Sequence, residues 1–190
     1  MAELLSPRAR EIALAALGLL EAEGSEGLSM RRLAERLGIR APSLYKHFGS
    51  KAELEAALIA IGFEESAAVF EAAIAGRGDR LARLADAYRS FARERPELYT
   101  LMTERPLPRE LLPQGLEDRA AAPVGIVAGG DLALARALWA FAHGMTMLEL
   151  NGRFPADADI DASWAAGVEA FRRTPQRPAR RKGRAGRGEL

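Results

Sequence analysis

The stretch GLSMRRLAERLGIRAPSLYKHFGSKAEL, residues 27–54, carries the pattern from which the fold is read. Ser29 reads as the N-cap of a short helix, because its hydroxyl can accept from the first unpaired amides, and Leu33, Ala34 and Leu37 then share one inward face. Gly38 ends that helix, since a residue without a side chain adopts the left-handed conformation at little cost. Ile39 packs in the turn, and Pro42 is tolerated in the first turn of a third helix reaching about Phe48. Leu44 and Phe48, four apart, form its inward pair. Gly49 closes it, and Ser50 with Glu53 three residues later is a capping box that opens a fourth helix through Leu54, Leu58 and Ile61.

Two short helices joined by a glycine turn form a helix-turn-helix, whose second helix can enter the major groove of DNA. With Leu44 and Phe48 inward, Ala41, Ser43, Tyr45 and Lys46 face outward. Tyr45, His47, Lys51 and the end of the second helix around Ser29 and Arg31 are placed to donate to phosphates. Base reading falls to Arg40, Ser43 and Lys46, with Ala41 offering an apolar contact such as to a thymine methyl. Six Lys/Arg lie in residues 29–51 against Glu35 alone, so the surface is locally cationic.

The rest of the chain is consistent with a soluble globular protein of one large domain, or of a small module joined to a larger one. It has 190 residues, 48% hydrophobic and 28% charged, enough to bury a core. The absence of cysteine excludes disulfides, thiolate metal sites and cysteine nucleophiles, and fits a cytoplasmic location. The first residues mix charges among apolar positions, unlike a signal peptide, and the most apolar stretch, residues 132–150, is interrupted by Arg136, His143 and Glu149. It reads as a buried helix, so no membrane partner is expected. Charge is unevenly divided: residues 1–60 are neutral, 61–171 carry net −6, and 172–190 carry net +7.

Helical periodicity runs throughout and strand-like alternation does not, so the fold class is all-α. A first helix starts at Ser6 and Pro7, buries Ile12, Ala16, Leu19 and Leu20, and stops at Gly24. Past residue 61, helices are expected at about 63–75, 79–94, 96–103, 131–151 and 161–172. In the second of these, Leu81, Leu84, Ala85, Tyr88, Phe91 and Ala92 keep one face apolar, opposite Arg80, Arg83, Asp86, Arg89 and Arg93. Four prolines and four glycines make residues 104–130 a loop with a short helix near Glu117. Residues 174–190 are too polar and too rich in Arg, Pro and Gly to pack. The expected division is 1–50, 51–173 and a basic tail at 174–190.

The sequence GLSMRRLAERLGIRAPSLYKHFGSKAELEAAL resembles the DNA-binding region of the TetR family of bacterial repressors nearly position for position, over roughly residues 10–58. The resemblance implies an all-α homodimer with an N-terminal three-helix DNA-binding domain. It also implies a larger helical C-terminal domain that binds a small effector and dimerises through its last two helices. Matched positions are Ser29 and Arg31 on the second helix, Pro42, Ser43, Tyr45 and His47 on the recognition helix, and Lys51 at the start of the fourth. Arg40, Ala41 and Lys46 fall at variable positions and would set operator preference.

Farther on, ALWAFAHGMTMLELNGRFP resembles the Trp-His-Gly signature of one TetR C-terminal subgroup through Trp139, His143 and Gly144, and RERPELYTLM resembles it too. Trp139 and His143, four apart, share a helix face. Two roles stay open for His143: a core histidine bonded to a backbone carbonyl, Tyr88 or Glu149, or a ligand contact. Tyr88, Phe91, Tyr99, Met102, Trp139 and His143 are the candidate effector-binding residues, in an apolar pocket with few polar groups that suits a hydrophobic or aromatic molecule. Trp139 either lines that pocket or fills a seam between subunits.

An enzyme finds little support, because the two histidines are far apart in the chain and no glycine-rich phosphate loop or metal-ligand spacing occurs. No cofactor is implied. The expected partners are double-stranded operator DNA, a small effector and a second copy of the chain. The expected activity is a repressor released from a palindromic operator, and the alternative is an architectural DNA-binding protein without an effector.

Overall fold

The serine, proline and aspartate signals at helix starts are used as their chemistry suggests. The computed structural model describes residues 5–172, so the basic segment 174–190 lies outside the described residues. Among them are nine α-helices and a short 3₁₀ turn at Arg109–Leu111. Helix α1 (Pro7–Gly27) begins with Ser6 Oγ accepting from the Ala9 amide at 3.2 Å, and Pro7 occupies its first turn. It breaks at Gly24, where φ of 71° and ψ of 178° leave the helical region, and a further turn carries it to Gly27.

Helix α2 (Met30–Arg36) is capped by Ser29 Oγ, which accepts from the Arg32 amide at 3.2 Å. At its end Gly38 has φ of 64°, and the Ile39 and Gly38 amides donate back to the carbonyls of Ala34 and Glu35 at 3.0 and 3.1 Å. This is the Schellman arrangement, and a side chain at residue 38 would strain it. Helix α3 (Ala41–Tyr45) is shorter than its pattern suggested. A final turn, with the His47 and Phe48 amides on the Leu44 carbonyl, brings Phe48 inward beside Leu44. Gly49 keeps a negative φ; it closes the turn by donating its amide to Glu53 Oε2 at 2.8 Å, while Ser50 Oγ accepts from the Glu53 amide at 3.1 Å.

Helix α4 (Lys51–Ala75) is one continuous rod, not two helices parted near residue 62. Gly62 is there for clearance: a Cβ at that position would lie 2.4 Å from Met102 Sδ and 3.3 Å from Leu98 Cδ1. Helices α5 (Arg80–Glu94) and α6 (Pro96–Thr103) follow as expected. Residues 104–130 are less of a loop than their composition suggested, since α7 (Leu116–Val127) runs twelve residues with Pro123 inside it. Burial of Leu116, Ala120 and Pro123 offsets the amide that proline cannot supply. Helices α8 (Leu132–Leu150) and α9 (Ile160–Arg172) complete the described residues.

Two apolar clusters organise these elements. The first joins α1 to α4 through Ile12, Leu20, Leu33, Leu44, Leu54 and Leu58, and it also takes Leu98 and Leu101 from α6. The second joins α4 to α9 around Phe70, Leu84, Tyr88, Phe91, Tyr99 and Trp164. Met102 packs against both. Neighbouring residues of one short helix therefore serve different cores.

Two expectations are corrected. Helix α8 is buried only at Leu138, Ala142 and Thr146, leaving Leu132, Ala137, Trp139 and Leu148 exposed, so it is not a buried core helix in the single chain. Arg89 does not sit on a solvent face: its guanidinium donates to Glu149 at 2.8 and 2.9 Å and to Asp161 at 2.5 Å, clamping α5 to α8 and α9. A strip of arginines opposite an apolar face looks solvated in sequence, but α8 and α9 fold over part of it. No single helix among the described residues is long and apolar enough to cross a membrane.

Candidate nucleic-acid interface and effector cavity

The turn at Gly38 and the pairing of Leu44 with Phe48 fix which residues around α3 face outward. Tyr45 is half exposed, and Pro42, Lys46 and His47 are exposed. Arg40 is the N-cap residue of α3, and neither its guanidinium nor the Lys46 ammonium has a partner among the described residues. Ser43 is half-buried. Ala41 is also half-buried and packs against the first cluster, so it projects less freely than its place in the sequence suggested.

The second helix presents a more constrained set. Ser29 Oγ is used in capping. Arg31 is highly exposed but donates to Glu35 Oε1 at 2.9 Å, and this bond raises its already high pKa. Arg32 is paired with Glu23 of α1. Lys51 Nζ lies 3.4 Å from the Ser25 carbonyl and 3.4 Å from Glu55 Oε1, where it ties α4 to the end of α1. The fold thus brings Arg40, Ser43, Tyr45, Lys46 and His47 onto one open surface, while Arg31 and Lys51 hold intramolecular partners.

The second cluster holds a chain of polar groups in an apolar surround. Tyr88 Oη lies 2.9 Å from Tyr99 Oη, which lies 2.8 Å from His143 Nδ1. Burial pushes the Tyr88 hydroxyl up to about 12, despite its bond to Tyr99, and pushes Tyr99 up further, so both stay protonated. Burial lowers the pKa of His143, with partial opposition from Glu104, and favours the neutral imidazole. The Trp139 ring stacks on His143 with 6.0 Å between centroids. Tyr99 is therefore the partner of His143, in place of the carbonyl, Tyr88 or Glu149 that its position suggested.

Between α5, α7, α8 and α9 is a cavity lined by Leu84, Tyr88, Val124, Leu138, Trp139 and Val168, among other apolar side chains, and by no charged residue. Its free volume is about 30 Å³, room for a water or two. Of the six candidates, Tyr88 and Trp139 line it. Tyr99 and His143 extend from Tyr88 through hydrogen bonds; Phe91 packs edge-on to Phe70, and Met102 bridges the two clusters. Val124 and Val127 sit where the proline and glycine spacing points to loop, which conceals them in the sequence. Phe141, Val168 and Phe171 were legible only as apolar positions on α8 and α9.

Comparison with known proteins agrees with both halves. The family model for bacterial regulatory proteins of the tetR family matches residues 12–58, and that for the tetracyclin repressor-like C-terminal domain matches residues 81–171. The chain is 34% identical over 171 residues to the uncharacterized HTH-type transcriptional regulator Rv0681 of Mycobacterium tuberculosis, covering 81% of this chain and 78% of that one. Over 43 residues it is 58% identical to tetracycline repressor protein class C of Escherichia coli, a match spanning 23% of this chain and 20% of that one. The structure of the multidrug binding protein EbrR, complexed with imidazole, shares the fold, with a TM-score of 0.64 at 23% identity over 93% of this chain and 99% of that one. Two matching domains in family order, on an all-helical chain with an open helix-turn-helix, make this protein a member of the TetR family of DNA-binding transcriptional regulators.

Proposed function

We propose that this regulator is a cytoplasmic homodimeric repressor that leaves a palindromic operator when a small, largely apolar effector enters the cavity beside Trp139. Arg40, Ser43 and Lys46 read bases, and Tyr45 and His47 contact phosphates. Arg31, bound to Glu35 through Nε, has its terminal nitrogens for a phosphate, and Lys51 reaches one by giving up Ser25 or Glu55. The observation that carries the reading is the double membership of α6: Tyr99 belongs to the effector core, and Leu98 and Leu101 belong to the DNA-binding core. A ligand that binds one position of α6 better than another shifts the recognition helices by that difference in affinity.

The uncovered residues of α8, with exposed Ala162, Ala165 and Ala166 on α9, suit a second copy of the chain, which would place the two recognition helices about one helical turn of DNA apart. The smallness of the cavity favours a second reading, an architectural protein that binds DNA without an effector. Selection of bound sequences from a random duplex library at two salt concentrations separates them. Enrichment of a palindrome supports a dimeric sequence-specific regulator, and salt-sensitive binding without enrichment supports the architectural protein. The +7 of residues 172–190 would add sequence-independent affinity, so removing residues 174–190 should lower the salt slope.

A further inference from the structure

The cavity beside Trp139 adjoins a second, wider space. Leu81, Val127, Leu138 and Phe171 line the cavity and also line an open depression of about 740 Å³. The two share this apolar wall, and the depression opens where α4 ends and α5 begins. The mouth adds Arg77, Asp79, Arg80 and Arg172. Asp79 is committed: it accepts from the Leu81 and Ala82 amides at 2.9 and 3.1 Å and pairs with Arg172, which also pairs with Glu169. The guanidiniums of Arg77 and Arg80 hold no partner among the described residues.

The loop that presents these cations is held in place. Arg83 donates to the carbonyls of Ala73 at 2.7 Å and Gly76 at 2.6 Å, and also to that of Arg77. The opposite wall is α7, whose outer face Arg119 ties to Glu71 of α4 at 3.0 and 3.2 Å. Pro123 inside α7 has no amide to give, and α7 ends at Gly129 and Gly130, with φ of 62° and 82°. Val124 and Val127 on this wall can move outward and enlarge the cavity without breaking a polar contact of their own side chains.

An uncharged slot with two uncommitted guanidiniums at its rim matches a molecule with one anionic end and an apolar body. We propose that the effector is an amphipathic carboxylic acid, its carboxylate against Arg77 and Arg80 and its body between α5, α7, α8 and α9. This rests on the effector-released regulator proposed above and names the chemical class of its ligand.

The test is direct binding to the full chain without DNA, using cis-parinaric acid, whose fluorescence rises on leaving water, and its methyl ester, which has the same body without the charge. Saturable binding of the acid is expected at one site per chain and tighter than that of the ester. Because both arginines are exposed, the Arg77→Ala/Arg80→Ala variant should keep its fold; it should bind the acid about tenfold more weakly and the ester unchanged. Leu138→Trp, checked by circular dichroism, should weaken both ligands by filling the slot. Absence of saturable binding, equal affinity for acid and ester, or an unchanged affinity of the double variant for the acid would each overturn the assignment. Operator selection on the same preparation separates the two proposals. A palindrome without acid binding removes only the ligand class, whereas acid binding that leaves operator affinity unchanged keeps the site and removes its regulatory role.

Discussion

Tyr99 on α6 and His143 on α8 meet with 2.8 Å between hydroxyl and Nδ1, and the same hydroxyl stands 2.9 Å from Tyr88 on α5. One tyrosine therefore joins three helices of the C-terminal half through a polar chain inside an apolar core. Such a chain strengthens in a low-dielectric interior only while every member keeps a compatible proton. With Nδ1 of a neutral His143 accepting, Tyr99 donates to it and Tyr88 donates to Tyr99. A protonated ring must donate instead, and the order reverses.

The first prediction concerns pH. Burial holds the pKa of His143 below its ordinary 6.5, so the folded state prefers the neutral ring. Its contribution is complete above 6.5 and is lost as pH falls from there through the lower folded value. The melting temperature of the wild type should fall more between pH 7 and pH 5 than that of His143→Asn, in which the amide keeps a polar group near Tyr99. Parallel curves would remove His143 as the titrating group.

The second prediction concerns Gly62. Alanine in a helix interior is ordinarily better than glycine by about 1 kcal/mol. Here the added carbon would meet Met102 Sδ at 2.4 Å, and such overpacking costs about 1–3 kcal/mol. Gly62→Ala should therefore be destabilising in urea by roughly 1 kcal/mol, and the same change should cost less when made in a Met102→Ala background. A more stable single variant would show that α6 yields freely.

A third prediction separates two kinds of contact at the recognition helix. Tyr45→Phe removes only a hydroxyl and should weaken binding to all operator variants alike. Lys46→Ala should cost about 1–3 kcal/mol at the base pair it reads and relax preference there. Equal losses across all sequences for Lys46→Ala would reassign it to the backbone.

The fourth prediction concerns the clamp between Arg89 and Glu149. The hydrogen bonds from Arg89 hold the Glu149 carboxyl below its ordinary 4.5, against burial. Glu149→Gln should cost about 1.5–3 kcal/mol at neutral pH. Because the carboxyl pKa is lowered by folding, its contribution is present above 4.5 and fades as pH falls below that value, so wild type and variant should converge in acid. A constant gap down to pH 3 would mean that the charge is immaterial.

How much was legible in the sequence follows from how local each feature is. Ser29, Gly38, Ser50 and Glu53 act within a few residues of themselves, so the helix-turn-helix and its caps could be read directly. Gly62 and Pro123 look like breaks because their usual meaning is local, yet the packed fold overrides each. Gly62 yields space to Met102, and Pro123 is buried within α7. A short helix near Glu117 within a loop does not reach Val124 and Val127, and so leaves out this wall of the cavity. Among the candidate site residues, Lys46 is as exposed as expected, whereas the ties of Arg31 to Glu35 and of Lys51 to Ser25 depend on side-chain geometry that spacing does not determine.

The sharing of α6 also bears on how the chain can be dissected. A fragment ending at residue 50 would lose Leu54, Leu58, Leu98 and Leu101, each no more than 5% exposed in the whole chain, and would leave Leu20, Leu33 and Leu44 facing water. The helix-turn-helix is in this sense an unfinished unit, completed by a piece of chain that arrives some fifty residues after its own last turn. During synthesis the first cluster would gain its last buried residues, Leu98 and Leu101, only once α6 is made.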